Sequence, residues 1–202
     1  MKIEEITNEA LDKVYNDVIN DETYGKELSI VDTILNKHKK NTDLYEVATK
    51  VAIIDVTNST HFSQYKSKIN LDEISNFIIG IKDFDKRVEA GDPELVNELA
   101  RNNGQINLFS FASKYCYYHN KCIYQKDSYA KYDGIVHDCL PEYLSKAKIK
   151  LGKKEVTPST LNRLREQCDY ASFNSLVDKV LENVDTDFKK AKFDYLMWFN
   201  NR

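Results

Sequence analysis

SFASKYCYYHNKCIYQKDSYAKYDG, residues 110–134, holds six tyrosines, two cysteines and a histidine in 25 positions. Its opening half has helical spacing. Leu108, Ala112, Tyr115 and His119 fall on one stripe, with Phe109 and Cys116 beside them. Ser110, Ser113, Lys114 and Tyr117 fall on the other side, where two small hydroxyls leave the Lys114 ammonium little steric cover. The aromatics read as core and the polar side as a candidate pocket wall. Asn120 is a common helix stop, so the helix is expected to end at His119-Asn120-Lys121. CIYQ (122–125) then reads as a short extended connection. KDSYAKYDGIVHDCLPEYL (126–144) reads as a new helix with Asp127 or Ser128 at its N-terminus, where free N–H groups favour a carboxylate. The plain reading of Asp127 is a cap.

Working outward, apolar residues keep helical steps through most of the chain. Ile6, Ala10, Leu11, Val14 and Val18 form one stripe, and Leu28, Val31, Ile34 and Leu35 a second. TDLYEVATKVAIIDV (42–56) offers Thr42 as a cap, and NLDEISNFIIGI (70–81) offers Asn70. GDPELV (91–96) places Asp92 before Pro93 in the first helical turn, where the missing N–H costs nothing. RNNGQIN (101–107) is the clearest interruption. Near the end, Phe188, Lys192, Tyr195 and Phe199 again follow helical steps. Only six glycines and three prolines leave little turn chemistry for a many-stranded β fold. The expectation is an all-α protein of about nine or ten helices, one helical domain over 1–202. Two lobes with a cleft, 42–145 against 1–41 plus 146–202, are a further possibility within it.

Composition narrows the function classes. With 42% hydrophobic and 30% charged residues the chain is of ordinary globular type. The start, MKIEEITNEALDK, lacks the basic end and apolar core of a signal peptide, and the longest apolar runs, such as FIIGI (77–81), are too short for a bilayer. A cytoplasmic protein with no membrane partner is expected, its four cysteines reduced. A net charge of −3 excludes a generally basic coat but not a local basic face. Two clusters qualify, NKHKK (36–40) and KAKIKLGKK (146–154); the plain reading of each is a solvated helix end or loop. Cys116-x2-His119-x2-Cys122 with His137-x-Cys139 has ligand types suited to zinc, but Cys116 and His119 would lie within a helix rather than on a knuckle. No metal and no cofactor are expected. Ser59 and His61 in NSTHF read as a helix end with an exposed histidine.

A helix carrying Ser113-Lys114, a short loop, and Ile123-Tyr124-Gln125-Lys126-Asp127 opening the next helix resembles the core of the helix-hairpin-helix (HhH-GPD) DNA glycosylases, with this chain a divergent member. VATKVAIIDVTNST (47–60) is similar to the helix that lines the base pocket there. The resemblance covers most of residues 42–145. It implies a glycosylase-like all-α fold, DNA as partner, and cleavage of the N-glycosidic bond of a damaged or modified base. Lys114 would be the nucleophilic amine and Asp127 the carboxylate that stabilises charge on the sugar. Ser110, Tyr117 and Ser128 would line the pocket. Asn103 and Gly104 in the hairpin would approach phosphate, along with Lys148, Lys150, Lys153 and Lys154. The chain departs from the family in two respects: RNNGQINLF (101–109) has one glycine where the hairpin usually has several, and the step from Lys114 to Asp127 is short. Both leave open the alternative of a non-catalytic helical interaction protein with a degenerate pocket. An RNA-cleaving helical enzyme is the weakest reading, since no Arg-x4-His pair stands on one helix.

Overall fold

The computed structural model describes residues 3–60, 68–104 and 106–201, with only the backbone of Asn103. His61 lies outside them. Among the described residues there are eleven α-helices: α1 (Asn8–Ile19), α2 (Tyr24–Lys37), α3 (Leu44–Asn58), α4 (Leu71–Gly80), α5 (Phe84–Ala90), α6 (Pro93–Arg101), α7 (Phe109–Tyr118), α8 (Gly134–Lys146), α9 (Pro158–Gln167), α10 (Tyr170–Val180) and α11 (Lys189–Asn201). The fold is all-α, as the apolar spacing predicts. Two two-residue strands, β1 (Lys150–Leu151) and β2 (Lys154–Glu155), pair antiparallel around Gly152 and are the only sheet among those residues. None of these helices is long and apolar enough to cross a membrane.

Caps explain most helix starts. Asn70 and Glu73 form a reciprocal capping box on α4, and Asp92 caps α6 with Pro93 in its first turn. On α3 the cap is Asp43, which accepts from the N–H groups of Tyr45 and Glu46, and not Thr42. A carboxylate accepts two donors and answers the helix dipole, which a threonine hydroxyl does less well.

Two segments depart from the sequence reading. The helix of Lys114 does not stop at Asn120; it passes through a π-helical turn, His119–Ile123, and the chain turns left-handed at Gln125. Asn120 is buried, donating its amide to the Val88 carbonyl and accepting from the Ser128 N–H, so it is tied into the core. Residues 126–132 are extended rather than helical, and the next helix begins at Gly134 with Asp133 as its cap, accepting from the Val136 N–H at 3.0 Å. A buried extended segment must find partners for its backbone. Here side chains supply them: Asn174 for the Ala130 N–H, the Ser113 hydroxyl for the Tyr132 N–H, and the Tyr170 hydroxyl for the Ala130 carbonyl. Those tertiary bonds outcompete the helix that local spacing favours.

The chain ends meet where α1 packs on α11, and α8 also lies against α11, while α6 packs on α7 and α3 on α4. One cluster of buried side chains runs through all of these elements. α7 is its centre. Phe109, Phe111, Ala112, Tyr115 and Cys116 are buried, and so are Ser113, Lys114 and Tyr117 on the side expected to be open.

Candidate functional site

Because α7 is covered all round, Lys114 does not reach bulk water; it is 4% exposed. It reaches a cavity of about 500 Å³ bounded by α1, α2, the C-terminal end of α3, α7, the start of α8 and α11. Two kinds of wall meet there. Val18, Leu28, Val31, Tyr24 and Trp198 make an apolar and aromatic side. Lys114, Lys131, Asp133, Asp194, Asn58 and Ser59 make a polar one.

The polar wall is built from helix ends. Ser59, in a left-handed conformation, terminates α3 and leaves the Asn58 carbonyl without a helical successor. The Lys114 ammonium donates to that carbonyl at 3.1 Å and lies 3.5 Å from Asp133 Oδ2. The Tyr118 hydroxyl donates to the Asn58 side chain at 2.8 Å. Asp133 thus caps α8 with one oxygen and faces Lys114 with the other. Burial lowers the Lys114 pKa from its ordinary value; Asp133 opposes this and Lys131 adds to it.

Lys131 has a different environment. Its ammonium is 2.6 Å from Asp194 and sits over the rings of Tyr117, Tyr118 and Tyr195 at 5.0–5.6 Å. Burial alone would lower its pKa, but Asp194 and the neighbouring tyrosines outweigh this and hold it well above the ordinary value. The cavity therefore contains one lysine held charged and one pushed toward the neutral amine. The carboxylates beside them are Asp194 and Asp133.

Asp127 is elsewhere. Its Oδ2 accepts from the Lys190 N–H at 2.7 Å, so it caps the first turn of α11 across the core and not the helix that follows it in sequence. It does not line the cavity. Neither do Ser110, Tyr117 or Ser128. The Ser110 carbonyl accepts from Ser113, Tyr117 stacks behind Lys131, and the Ser128 backbone is bonded to Asn120, Asn174 and Lys190. Gly104 is exposed at φ +78° in the turn joining α6 to α7, where an added Cβ would meet only open space. The Asn103 side chain lies outside the described residues. Lys148, Lys150, Lys153 and Lys154 are exposed on the β1–β2 hairpin and its approach. That hairpin follows the C-terminal end of α8, so it stands roughly 20 Å, at 1.5 Å per residue, from the Asp133 end of the same helix. The candidate metal ligands Cys116, His119, Cys122 and Cys139 are core groups, and His137 is half-buried beside Asp138. Burial raises the Cys116 thiol, and raises Cys122 to about 12 and Cys139 to about 11. Nδ1 of His119 donates to the Tyr115 carbonyl.

The sequence reading missed Lys131, Asp133, Asp194, Glu27 and Trp198. For Asp133 a signal existed, since Asp-Gly stands directly before the apolar steps of IVHDCL. Asp194 also carried one: a carboxylate inside FDYLMWF must be buried with its neighbours and needs a cation.

An all-α chain with a lysine–carboxylate pair in a half-open, half-aromatic cavity is the class that fold and site define. The family model HI_0787_N, an N-terminal domain, matches residues 6–126, more than half of the chain, which therefore belongs to that family. The matched region includes Lys114 but ends before Lys131 and Asp133. The chain is also similar to an uncharacterized protein of Haemophilus influenzae, 42% identical over 62 residues. That match covers 29% of this chain and 31% of the relative, so the chain spans about a third of the relative's length. No solved structure matches.

Proposed function

We propose that the protein binds DNA and cleaves the N-glycosidic bond of a damaged or modified base. Lys114 is the nucleophile and Asp133, rather than Asp127, the carboxylate. The observation that carries this reading is the placement of a desolvated lysine 3.5 Å from a carboxylate in a cavity of about 500 Å³. An amine attacks only when neutral, and burial favours that form. Attack by Lys114 Nζ on the sugar C1′ forms a C–N bond as the bond from C1′ to the base breaks. The base leaves with the electron pair and takes one proton from the amine. The C1′–O4′ bond of the resulting aminal then opens, O4′ takes the second amine proton, and the nitrogen lone pair forms the C=N of the Schiff base. Asp133 is near enough to offset the positive charge that develops on the sugar. The apolar side, with Tyr24 and Trp198, suits the face of an extruded base. Support also comes from the helix–turn–helix of α6 and α7 and from the exposed lysines of the hairpin, which suit phosphate contact. A location in the cytoplasm accords with this reading.

The test is covalent trapping. Borohydride reduces a Schiff base, so the protein should become linked to duplexes carrying oxidised, alkylated or deaminated bases, and Lys114→Gln should abolish the linkage without abolishing DNA binding. One observation favours a second reading, a non-catalytic interaction protein. The Lys114 ammonium already has the Asn58 carbonyl and Asp133 as partners, as a purely structural lysine would. Absence of both trapping and base release across the panel would establish that reading over the catalytic one.

A further inference from the structure

The α2 helix turns Tyr24, Glu27, Leu28 and Val31 toward the cavity, successive steps of three, one and three that form a single stripe. Three of the four are what an inward stripe requires. Glu27 is not: it places a carboxylate on the apolar side of the cavity, one turn from the Tyr24–Trp198 pair, whose rings meet edge-on at 4.4 Å. The other two lining carboxylates each face a lysine, Asp133 with Lys114 and Asp194 with Lys131. Among the described residues Glu27 has no salt bridge. A ligand in the cavity can bring hydrogen-bond donors to this half-buried carboxylate.

We infer that Glu27 is a specificity residue of the cavity, accepting from the donor-rich edge of a guanine-type base, the ring N–H and the adjacent amino group, while Trp198 and Tyr24 hold its face. A carboxylate presents two parallel acceptors, and that edge presents two parallel donors; adenine and the pyrimidines present an acceptor there. The choice of a nucleobase as ligand rests on the reading proposed above.

Trp198 is the chain's sole tryptophan and lines the cavity, so its fluorescence reports occupancy directly. Titration of the full chain with guanosine should quench it. Inosine keeps the ring N–H and lacks the amino group, and it should bind about ten- to hundred-fold more weakly, the range one charge-assisted hydrogen bond carries. Glu27→Gln keeps the size and helix propensity of the side chain, and should bring the two nucleosides to within about three-fold of each other. Equal binding of both by the unaltered protein, an unchanged ratio in Glu27→Gln, or no quenching by either would overturn the inference. Borohydride trapping run on the same two proteins separates the claims. Trapping with an unchanged nucleoside ratio removes Glu27 and leaves the catalytic reading; a collapsed ratio without trapping leaves a base-binding site and removes catalysis.

Discussion

Lys50 and Lys114 are both buried, and they differ in what surrounds them. Lys50 on α3 is fully enclosed, and its ammonium donates to the His38 carbonyl at 3.0 Å, the Lys40 carbonyl at 2.8 Å and the Asn41 side chain at 2.9 Å. Three donors meet three acceptors, and nothing is left over for a ligand. Lys114 on α7 has one carbonyl at 3.1 Å and a carboxylate at 3.5 Å, and it faces a cavity. Burial lowers both pKa values, Lys50 to about 8, so a shifted pKa alone does not separate them. Geometry does. Lys50 ties the chain after α2 to α3, whereas Lys114 is held in place but left open on one side.

The largest expected effect tests that contrast. Lys50→Met keeps the length of the stem and removes all three donors, leaving the His38 and Lys40 carbonyls without their partner and Asn41 Oδ1 with the Tyr115 hydroxyl alone. Unsatisfied buried acceptors cost about 1–3 kcal/mol each and relax in part, so a loss of about 3–5 kcal/mol is expected in denaturant unfolding. Any of the variant that remains folded should still be trapped on DNA. Lys114→Gln should show the reverse pattern, with trapping lost and stability little changed. A stability loss in Lys114→Gln equal to that of Lys50→Met would make the two lysines equivalent and remove the distinction.

The carboxylates give a second contrast. Asp133 is shared between a cap and the cavity, while Asp127 is half-buried as the cap of α11. Burial raises the Asp127 pKa to about 6, against the opposing pull of the Lys190 N–H and ammonium. An acid whose pKa is higher folded than unfolded destabilises the fold when ionised. That cost is fully present above about pH 6 and is relieved as pH falls from 6 toward its unfolded value near 4. At neutral pH Asp127→Asn should therefore stabilise by about 2 kcal/mol, since Asn still accepts the Lys190 N–H, and the gain should fade by about pH 4. Thermal unfolding of both proteins between pH 7 and 4 measures it. A variant less stable at pH 7 than at pH 4, relative to the parent, would reverse the sign. Base release should be unaffected, because the cavity uses Asp133.

How far the sequence could be read follows from these same residues. Periodicity and caps are local, so the all-α class, the capping box at Asn70 and the start of α6 at Asp92 were legible. Lys114 does line a cavity, but as a buried side chain and not on the open polar face that its neighbouring serines suggest. Its carboxylate partner was not legible. Asp127 and Asp133 stand six residues apart, and both precede apolar steps. The choice between them depends on whether residues 126–132 form a helix. That depends in turn on Asn174 and Tyr170, 44 and 40 residues away, supplying bonds to Ala130. The pairing of Lys131 with Asp194 and the inward Glu27 were closed to local reading for the same reason: a cavity between six elements belongs to none of their sequences alone.

The smallest expected effect concerns Tyr117, whose place on the polar side of α7 reads as a pocket position. Its ring lies beneath the Lys131 ammonium at 5.0 Å and packs edge-on against Tyr118 at 4.9 Å. Its hydroxyl is buried and has no hydrogen-bond partner among the described residues. A hydroxyl in that state has lost its bonds to water and gained nothing in exchange, so it weakens the fold. Tyr117→Phe removes the oxygen and keeps the ring, and with it the cation–π contact that helps hold Lys131 charged. The variant should be as stable as the parent or more so, by up to about 1 kcal/mol, with trapping and nucleoside quenching unchanged. A clear loss of trapping in a folded Tyr117→Phe protein would show that the hydroxyl acts on the cavity through a partner such as an ordered water. It would then return Tyr117 from the core behind Lys131 to the site itself.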